Sequence, residues 1–194
     1  MKQIIKISSA ILLISTIGCK KFLEKEPDNR AKLNSPAKVS QLLASAYPQG
    51  NYQPMAEIAS DNAGDRLSDF MGTQPFITLL NNLYFYQDDK QNGLQDNPDY
   101  YWASCYAAIA AANEALDAIS KVSDPVNYQS QKGEALVARA YSHFMLVNFF
   151  SKFYDPNTAA TDLGVPYVTE PESVSIKIER PFRTQYPSID IGDC

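Results

Sequence analysis

The chain has few of the residues from which metal and nucleophilic sites are built. Its 194 residues include one histidine and three cysteines. Zinc needs several such ligands at close spacing, and His143 has no partner at that spacing. The sequence also contains no Gly-x-Ser-x-Gly elbow, no P-loop and no Gly-x-Gly-x-x-Gly. It therefore predicts no catalytic residue, no metal site and no cofactor.

The chain also lacks an excess of basic residues. Its 17 Lys and Arg against 22 Asp and Glu give a net charge of −5. Because nucleic-acid binding needs a basic face toward the phosphates, we expect no nucleic-acid partner. With 45% hydrophobic and 20% charged residues, the composition is that of an ordinary globular protein.

Long hydrophobic runs are missing, but the chain begins with a short one. Residues 1–6 carry two lysines, and residues 7–17 are apolar or small. This run is too short for a bilayer, which needs about 20 apolar residues, and is typical of an export signal. Gly18 precedes Cys19, as in a bacterial lipobox. We predict a lipoprotein signal peptide over 1–18 with lipid attached to Cys19; the alternative is an ordinary signal followed by a stray cysteine.

Three helix starts share one pattern, a capping residue followed by proline. The pairs are Ser35-Pro36, Asn97-Pro98 and Asp124-Pro125. They predict helices over 36–47, 98–121 and 126–154. A short helix over 54–60 is also expected, and residues 78–86 fit either a strand or a helix.

The two long helices are expected to form an antiparallel pair, because their link is short. Each carries apolar residues at helical spacing. The predicted contact faces are Trp102, Cys105, Ile109, Ala112, Leu116 and Ile119 on the first helix, and Gly133, Val137, Ala140, Phe144 and Val147 on the second. Ala140 and Phe144 have the spacing of a stretched tetratricopeptide second helix. The predicted fold class is all-α, built from tetratricopeptide-like helical pairs.

Four blocks of the sequence resemble one known family. They are residues 18–24 with Pro27, 56–62, 101–116, and 133–147 continuing to 164–169. In this order they resemble the N-terminal part of the SusD/RagB family of nutrient-uptake lipoproteins. The resemblance implies a helical fold and a lipid anchor on the outer membrane. It also implies capture of oligosaccharides or other nutrients, a TonB-dependent transporter as partner, and no enzymatic activity.

The resemblance divides the chain into four parts. These are the signal peptide 1–18, a flexible tether 19–34, a helical domain 35–172, and an irregular tail 173–194 without family resemblance. Family members are longer, so we interpret the chain as a truncated or frame-shifted copy; the alternative is a short natural relative. Helices that would cover the second long helix are then missing. We therefore expect loose packing there, with Phe149 and Phe150 exposed.

Tyrosines are the candidate ligand contacts. Glycan sites combine aromatic rings beneath sugar C–H faces with polar groups that fix the hydroxyls. We predict Tyr84, Tyr86 and Tyr100 as ligand-binding residues. We assign Trp102 to the core because it lies on the predicted contact face of the first long helix. The alternative function is a tetratricopeptide-like adaptor on the outer membrane that binds other proteins.

Overall fold

The structure is a computed structural model that describes residues 32–64, 73–88, 94–95 and 97–171. Within these residues the chain is helical and has no β-strand, which confirms the all-α prediction. The helices are α1 Pro36–Leu43, α2 Gln53–Ile58, α3 Gln74–Tyr84, α4 Pro98–Ser120 and α5 Gln129–Phe150, with a 3-10 helix Pro125–Tyr128 before α5. All belong to one compact unit that begins at Leu33. Cys19, most of the predicted tether and the tail 173–194 lie outside the described residues.

Two of the three predicted caps are present. The Ser35 hydroxyl accepts from the Lys38 amide, at 3.4 Å. The Asn97 side chain accepts from the amides of Asp99, at 2.6 Å, and Tyr100, at 3.4 Å. The prediction for Asp124 was wrong, since its carboxylate accepts from the Asn127 side chain instead, at 2.6 Å. The chain therefore makes a 3-10 turn first, and α5 begins later than predicted.

The long helices α4 and α5 pack against each other in antiparallel orientation. Near the start of α4, Tyr101 contacts the rings of Phe149 and Phe150 at the end of α5. Further along, Asn113 is bonded to Arg139. Of the predicted α4 face, Cys105, Ile109, Ala112 and Ile119 are buried, whereas Trp102 and Leu116 are half-buried. The α4 prediction is therefore largely correct.

The predicted contact face of α5 was wrong. Val137 and Phe144 are 54% and 53% exposed, and the buried residues are Ala135, Ala138, Ser142, His143, Met145 and Leu146. This inner face mixes alanines, which let the helices approach closely, with polar groups that are satisfied within the fold. The Ser142 hydroxyl donates to the Ala138 carbonyl at 2.9 Å. Large apolar side chains therefore lie on both the buried and the exposed sides of α5.

Two hydrophobic clusters hold the other elements to the helix pair. One joins Val39 and Leu43 of α1 to Ala112 and Ala138. The other joins Met55 of α2 to the opposite end of the pair, around Tyr101 and Leu146. Phe149 and Phe150 pack against this second cluster, so their predicted exposure was wrong. Phe153 is 93% exposed instead.

An extended segment, residues 164–171, crosses the helix pair and is bonded to both helices. The Tyr106 hydroxyl of α4 donates to the Pro166 carbonyl at 2.8 Å. From α5, His143 Nε2 accepts from the Val168 amide at 3.1 Å, and Arg139 donates to the Thr169 carbonyl at 3.0 Å. Sequence blocks that carried the family resemblance therefore meet here in one hydrogen-bonded network.

Candidate functional site

An open cavity of about 590 Å³ lies where the loop between α1 and α2 meets the helix pair. We call it the tyrosine cavity, because four tyrosines line it: Tyr47, Tyr52, Tyr101 and Tyr141. Asn51 and Gln53 add side-chain amides, and Val137 and Ala138 of α5 complete the wall with Pro48 and Gly50. Aromatic faces with a few polar groups are the usual lining of a ligand pocket of this size.

The loop reaches the helix pair closely because residue 50 is glycine. A Cβ at this position would lie 2.8 Å from Ser104 Oγ and 3.0 Å from the Cα of Tyr101. Both distances are shorter than ordinary packing allows. Gly50 therefore lets the loop backbone lie directly on α4, which brings Tyr47 and Tyr52 beside Tyr101.

Packed rings fix the floor of the cavity. Tyr101 is almost fully buried, and its ring centroid lies 5.8 Å from that of Tyr52 and 5.9 Å from that of Phe149. Tyr52 and Phe149 are themselves 5.3 Å apart. Such tilted and edge-on contacts hold the rings in place. Tyr47 and Tyr141, 43% and 42% exposed, stand at the mouth, where an incoming ligand can reach them.

The hydroxyls of Tyr47, Tyr101 and Tyr141 stay protonated at neutral pH. Burial raises the pKa of Tyr141, and it raises the pKa of Tyr101 further. The pKa of Tyr47 is raised by burial and by the Glu134 carboxylate, to which the Tyr47 hydroxyl donates at 3.3 Å. A protonated hydroxyl both donates and accepts hydrogen bonds. The cavity is thus lined by neutral polar groups, which suit an uncharged ligand rich in hydroxyls.

Tyr100, predicted from the sequence, lines a second and smaller cavity of about 270 Å³. Its other lining residues are Ser45, Tyr47, Gln49, Ala103, Ser104 and Ala107. Tyr47 belongs to both cavities. The structure therefore places Tyr100 next to the tyrosine cavity, across Tyr47.

Tyr84 and Tyr86 lie elsewhere, at the end of α3. The ring of Tyr84 meets Phe85 edge-on at 5.0 Å. Tyr86 is 79% exposed, and its hydroxyl donates to the Ala59 carbonyl at 2.6 Å. Its backbone is left-handed, with φ of 53°, which is unusual for a residue other than glycine. Neither tyrosine lines the cavity that contains Tyr100.

Sequence reasoning missed Tyr47, Tyr52 and Tyr141. They come from two loop positions and from a helix almost a hundred residues further along the chain. No local pattern connects them, because packing of the loop against α4 and α5 brings them together.

A third cavity, of about 620 Å³, lies on the other side of α4, beneath residues 166–171. Trp102 and Tyr106 line it together with Ile109, Pro166 and Val168, so its wall is mainly apolar. The Trp102 ring also packs edge-on against Phe150, at 5.0 Å between centroids. Trp102 therefore packs within the fold and faces this cavity as well.

Two kinds of feature are absent from the part of the chain that the structure describes. Within 32–64, 73–88, 94–95 and 97–171, no three His, Cys, Asp or Glu side chains come together as a metal site would require. In the same part of the chain, no helix has both the length and the hydrophobicity needed to cross a membrane.

Comparison with known proteins identifies the family. A model of a SusD-like family, described as "starch-binding associating with outer membrane", matches residues 21–185. A crystal structure of a SusD superfamily protein from Bacteroides thetaiotaomicron matches with a TM-score of 0.57 and 23% identity. The match covers 78% of this chain but only 34% of that protein, so the chain spans about a third of its length. No curated protein matches the chain. Because the family model covers most of its length, the chain belongs to the SusD-like family.

Proposed function

We propose that this protein captures a glycan at the cell surface, and that the tyrosine cavity forms part of its binding site. The observation that supports this most directly is the convergence of four tyrosines and two side-chain amides on one open cavity, in a member of a family described as starch-binding. In this proposal the lipid on Cys19 anchors the chain to the outer membrane, facing outward, and a TonB-dependent transporter receives the glycan.

The chemistry of the cavity suits a sugar. Tyrosine rings offer flat apolar faces to sugar C–H groups, and Tyr47 and Tyr141 present theirs at the mouth. Their hydroxyls and the amides of Asn51 and Gln53 offer the donors and acceptors that sugar hydroxyls need. These groups favour the binding of a sugar over its chemical conversion, which fits the proposal of a binding protein without catalysis.

We further propose that the described helices hold only a share of the site. The chain spans about a third of the solved relative, and its tyrosine cavity is open. A ligand that is contacted on one side only loses the same translational and rotational freedom as a ligand in a complete site, but it gains fewer contacts. The affinity of residues 19–194 for a glycan should therefore be weak.

Affinity electrophoresis tests the proposal, because a gel that contains polysaccharide retards even weak binders. Soluble starch should slow the migration of residues 19–194 relative to a gel without polysaccharide. Tyr47→Ala and Tyr141→Ala should each reduce the retardation, whereas Tyr154→Ala, which removes a 53% exposed ring outside the cavity, should not. Equal retardation of all three variants would locate binding elsewhere. Tyr86→Ala and Tyr100→Ala test the contacts predicted from sequence in the same gel.

The second candidate function, an adaptor that binds proteins, is favoured by one observation. Val137 and Phe144 form an exposed apolar stripe on α5 with Tyr141, at helical spacing. If this stripe contacts the transporter or another envelope protein, Phe144→Ser should weaken that association and leave starch retardation unchanged. An adaptor without glycan function would show no retardation in any polysaccharide gel.

A further inference from the structure

We propose that Glu134 is a positioning residue that holds Tyr47 as the common wall of two adjoining sugar subsites. The ligand class that this arrangement selects is an oligosaccharide that passes across Tyr47, with one sugar ring in the tyrosine cavity and another in the smaller cavity beside Tyr100. This inference rests on the proposed function and extends it to the length of the glycan.

The two cavities are joined through one residue. Among the described residues that line them, Tyr47 is the only one that both have in common. The smaller cavity, at about 270 Å³, is below the range of roughly 300 to 1,000 Å³ that is usual for a complete ligand pocket. It is therefore suited to one part of a longer ligand whose remainder occupies the larger cavity.

The position of Tyr47 depends on a contact from a distant helix. Tyr47 follows the end of α1 in the loop that leads to α2, outside both helices. Its hydroxyl donates to Glu134 Oε1 of α5, at 3.3 Å. The Gln49 side chain donates to the Tyr47 carbonyl, also at 3.3 Å, and so steadies the backbone. Glu134 is thus the side chain that fixes the far end of the ring.

Fixing this ring in advance should matter for binding. A side chain that is ordered only when the ligand arrives costs free energy at that moment. Tyr47 borders both cavities. Its disorder would therefore weaken the binding of a ligand that spans both cavities more than the binding of a ligand that occupies only one. Loss of the Glu134 contact should therefore appear as a loss of preference for longer glycans.

A series from glucose to maltohexaose, titrated into residues 19–194 and followed by NMR, tests this. The wild-type chain should bind maltotriose about tenfold or more tighter than glucose, because the longer ligand uses both cavities. Glu134→Ala should weaken maltotriose binding about fivefold and change glucose binding less than twofold. Glu134→Gln keeps an acceptor oxygen within reach of Tyr47 and should retain most of the wild-type preference.

Two controls separate positioning from stability. Glu57→Ala removes an exposed carboxylate on α2 and should bind like the wild type. Thermal unfolding of Glu134→Ala should stay close to that of the wild type, because the bond it removes is exposed. If Glu134→Ala does not fold, Tyr47→Phe removes the same hydrogen bond and keeps the ring, and an unchanged chain-length preference in this variant would overturn the inference.

The outcomes distinguish this inference from the proposed function. If the wild type binds maltotriose no better than glucose, or if Glu134→Ala weakens both equally, the two-subsite inference is wrong while glycan binding stands. The same holds if Glu134→Gln loses as much chain-length preference as Glu134→Ala. If the wild type binds no sugar of the series, the proposed function fails and this inference fails with it.

Discussion

Arg139 of α5 donates a 3.0 Å hydrogen bond to the Oδ1 of Asn113 on α4. The same guanidinium nitrogen lies 3.0 Å from the Thr169 carbonyl, and the Asn113 side-chain nitrogen donates to the carbonyls of Val168 and Glu170. Two side chains thus tie both long helices to the extended segment 164–171. Asn113 is almost fully buried, so its side-chain amide has little access to water as an alternative partner.

Replacement of Asn113 by Ala should therefore cost about 2 kcal/mol of unfolding free energy, because three part-buried hydrogen bonds are lost. Urea unfolding measures this. Asn148→Ala is the matched control, since its exposed side chain donates only to the Phe144 carbonyl one turn earlier. A cost for Asn113→Ala as small as that for Asn148→Ala would show that the network does not stabilise the fold.

His143 should make stability depend on pH. Burial, the larger cause, and nearby Arg139 lower its pKa from 6.5 to about 4, against the opposing bond to the Arg139 carbonyl. Nε2 must stay unprotonated to accept from the Val168 amide. Between pH 6.5 and 4 the unfolded chain binds a proton that the folded chain does not. Stability is therefore fully present above pH 6.5 and falls toward pH 4, by up to about 3 kcal/mol.

Urea unfolding at several pH values measures this dependence, with His143→Gln as the comparison. The variant has no titratable group at this position, so its stability should fall less over the same pH range. Carboxylates elsewhere contribute equally to both proteins, and the difference between the two curves isolates His143. Parallel curves would mean that His143 is not held neutral in the fold.

Two glycines should respond to alanine in opposite directions. Gly50→Ala places a Cβ against Ser104 and the Tyr101 backbone, so the loop must move away from α4. We expect a loss of about 1 to 3 kcal/mol in stability and weaker glycan binding, because Tyr47 moves with the loop. Gly133 lies within α5 with open space around it, so Gly133→Ala should stabilise by about 0.5 to 1 kcal/mol. Thermal melts measure both effects. If the melting temperatures of the two variants shifted in the same direction, this account would be refuted.

The predicted attachment of lipid to Cys19 can be tested by expressing the whole chain in a bacterium that acylates lipoproteins. If Cys19 carries the lipid, the wild type should fractionate with the outer membrane, and intact mass should show a mature chain that begins with an acylated Cys19. Cys19→Ala should leave the protein uncleaved or release it in soluble form. Cys105→Ala is the control, because this cysteine is buried in α4 and burial raises its pKa to about 11. An unacylated mature N-terminus at another residue would exclude the anchor.

The sequence predicted helices well where local chemistry decides them. Ser35 and Asn97 act as caps before proline, and the periodic residues of α4 point inward. It also predicted the helix α5, but not its buried face, because apolar residues occur on several faces of this helix. The buried face there was decided by close approach to the alanines of α4 and by the polar partners of Ser142 and His143. Neither is visible in the spacing of large apolar residues.

The candidate site was less predictable than the fold. Tyr100 was predicted because it belongs to an aromatic run and lies off the apolar face of the helix, and it lines the smaller cavity. Tyr47 and Tyr141 stand alone in the sequence and become neighbours only when the loop packs against α5. Gly50, which permits that packing, looks in the sequence like an ordinary loop glycine. It matters because the loop backbone lies so close to the backbone of α4 that a Cβ would not fit between them.

The measurement that tests the central claim most directly is a calorimetric titration of residues 19–194 with a panel of oligosaccharides, repeated for Tyr47→Ala. We expect saturable binding to at least one glycan with a Kd of about 1 mM, near −4 kcal/mol, and a clear loss in the variant. A micromolar Kd would show that the chain is a complete binding module and contradict the proposal that it holds only a share of the site. Absence of binding to every glycan in the panel, or binding unchanged by Tyr47→Ala, would contradict the assignment of the tyrosine cavity.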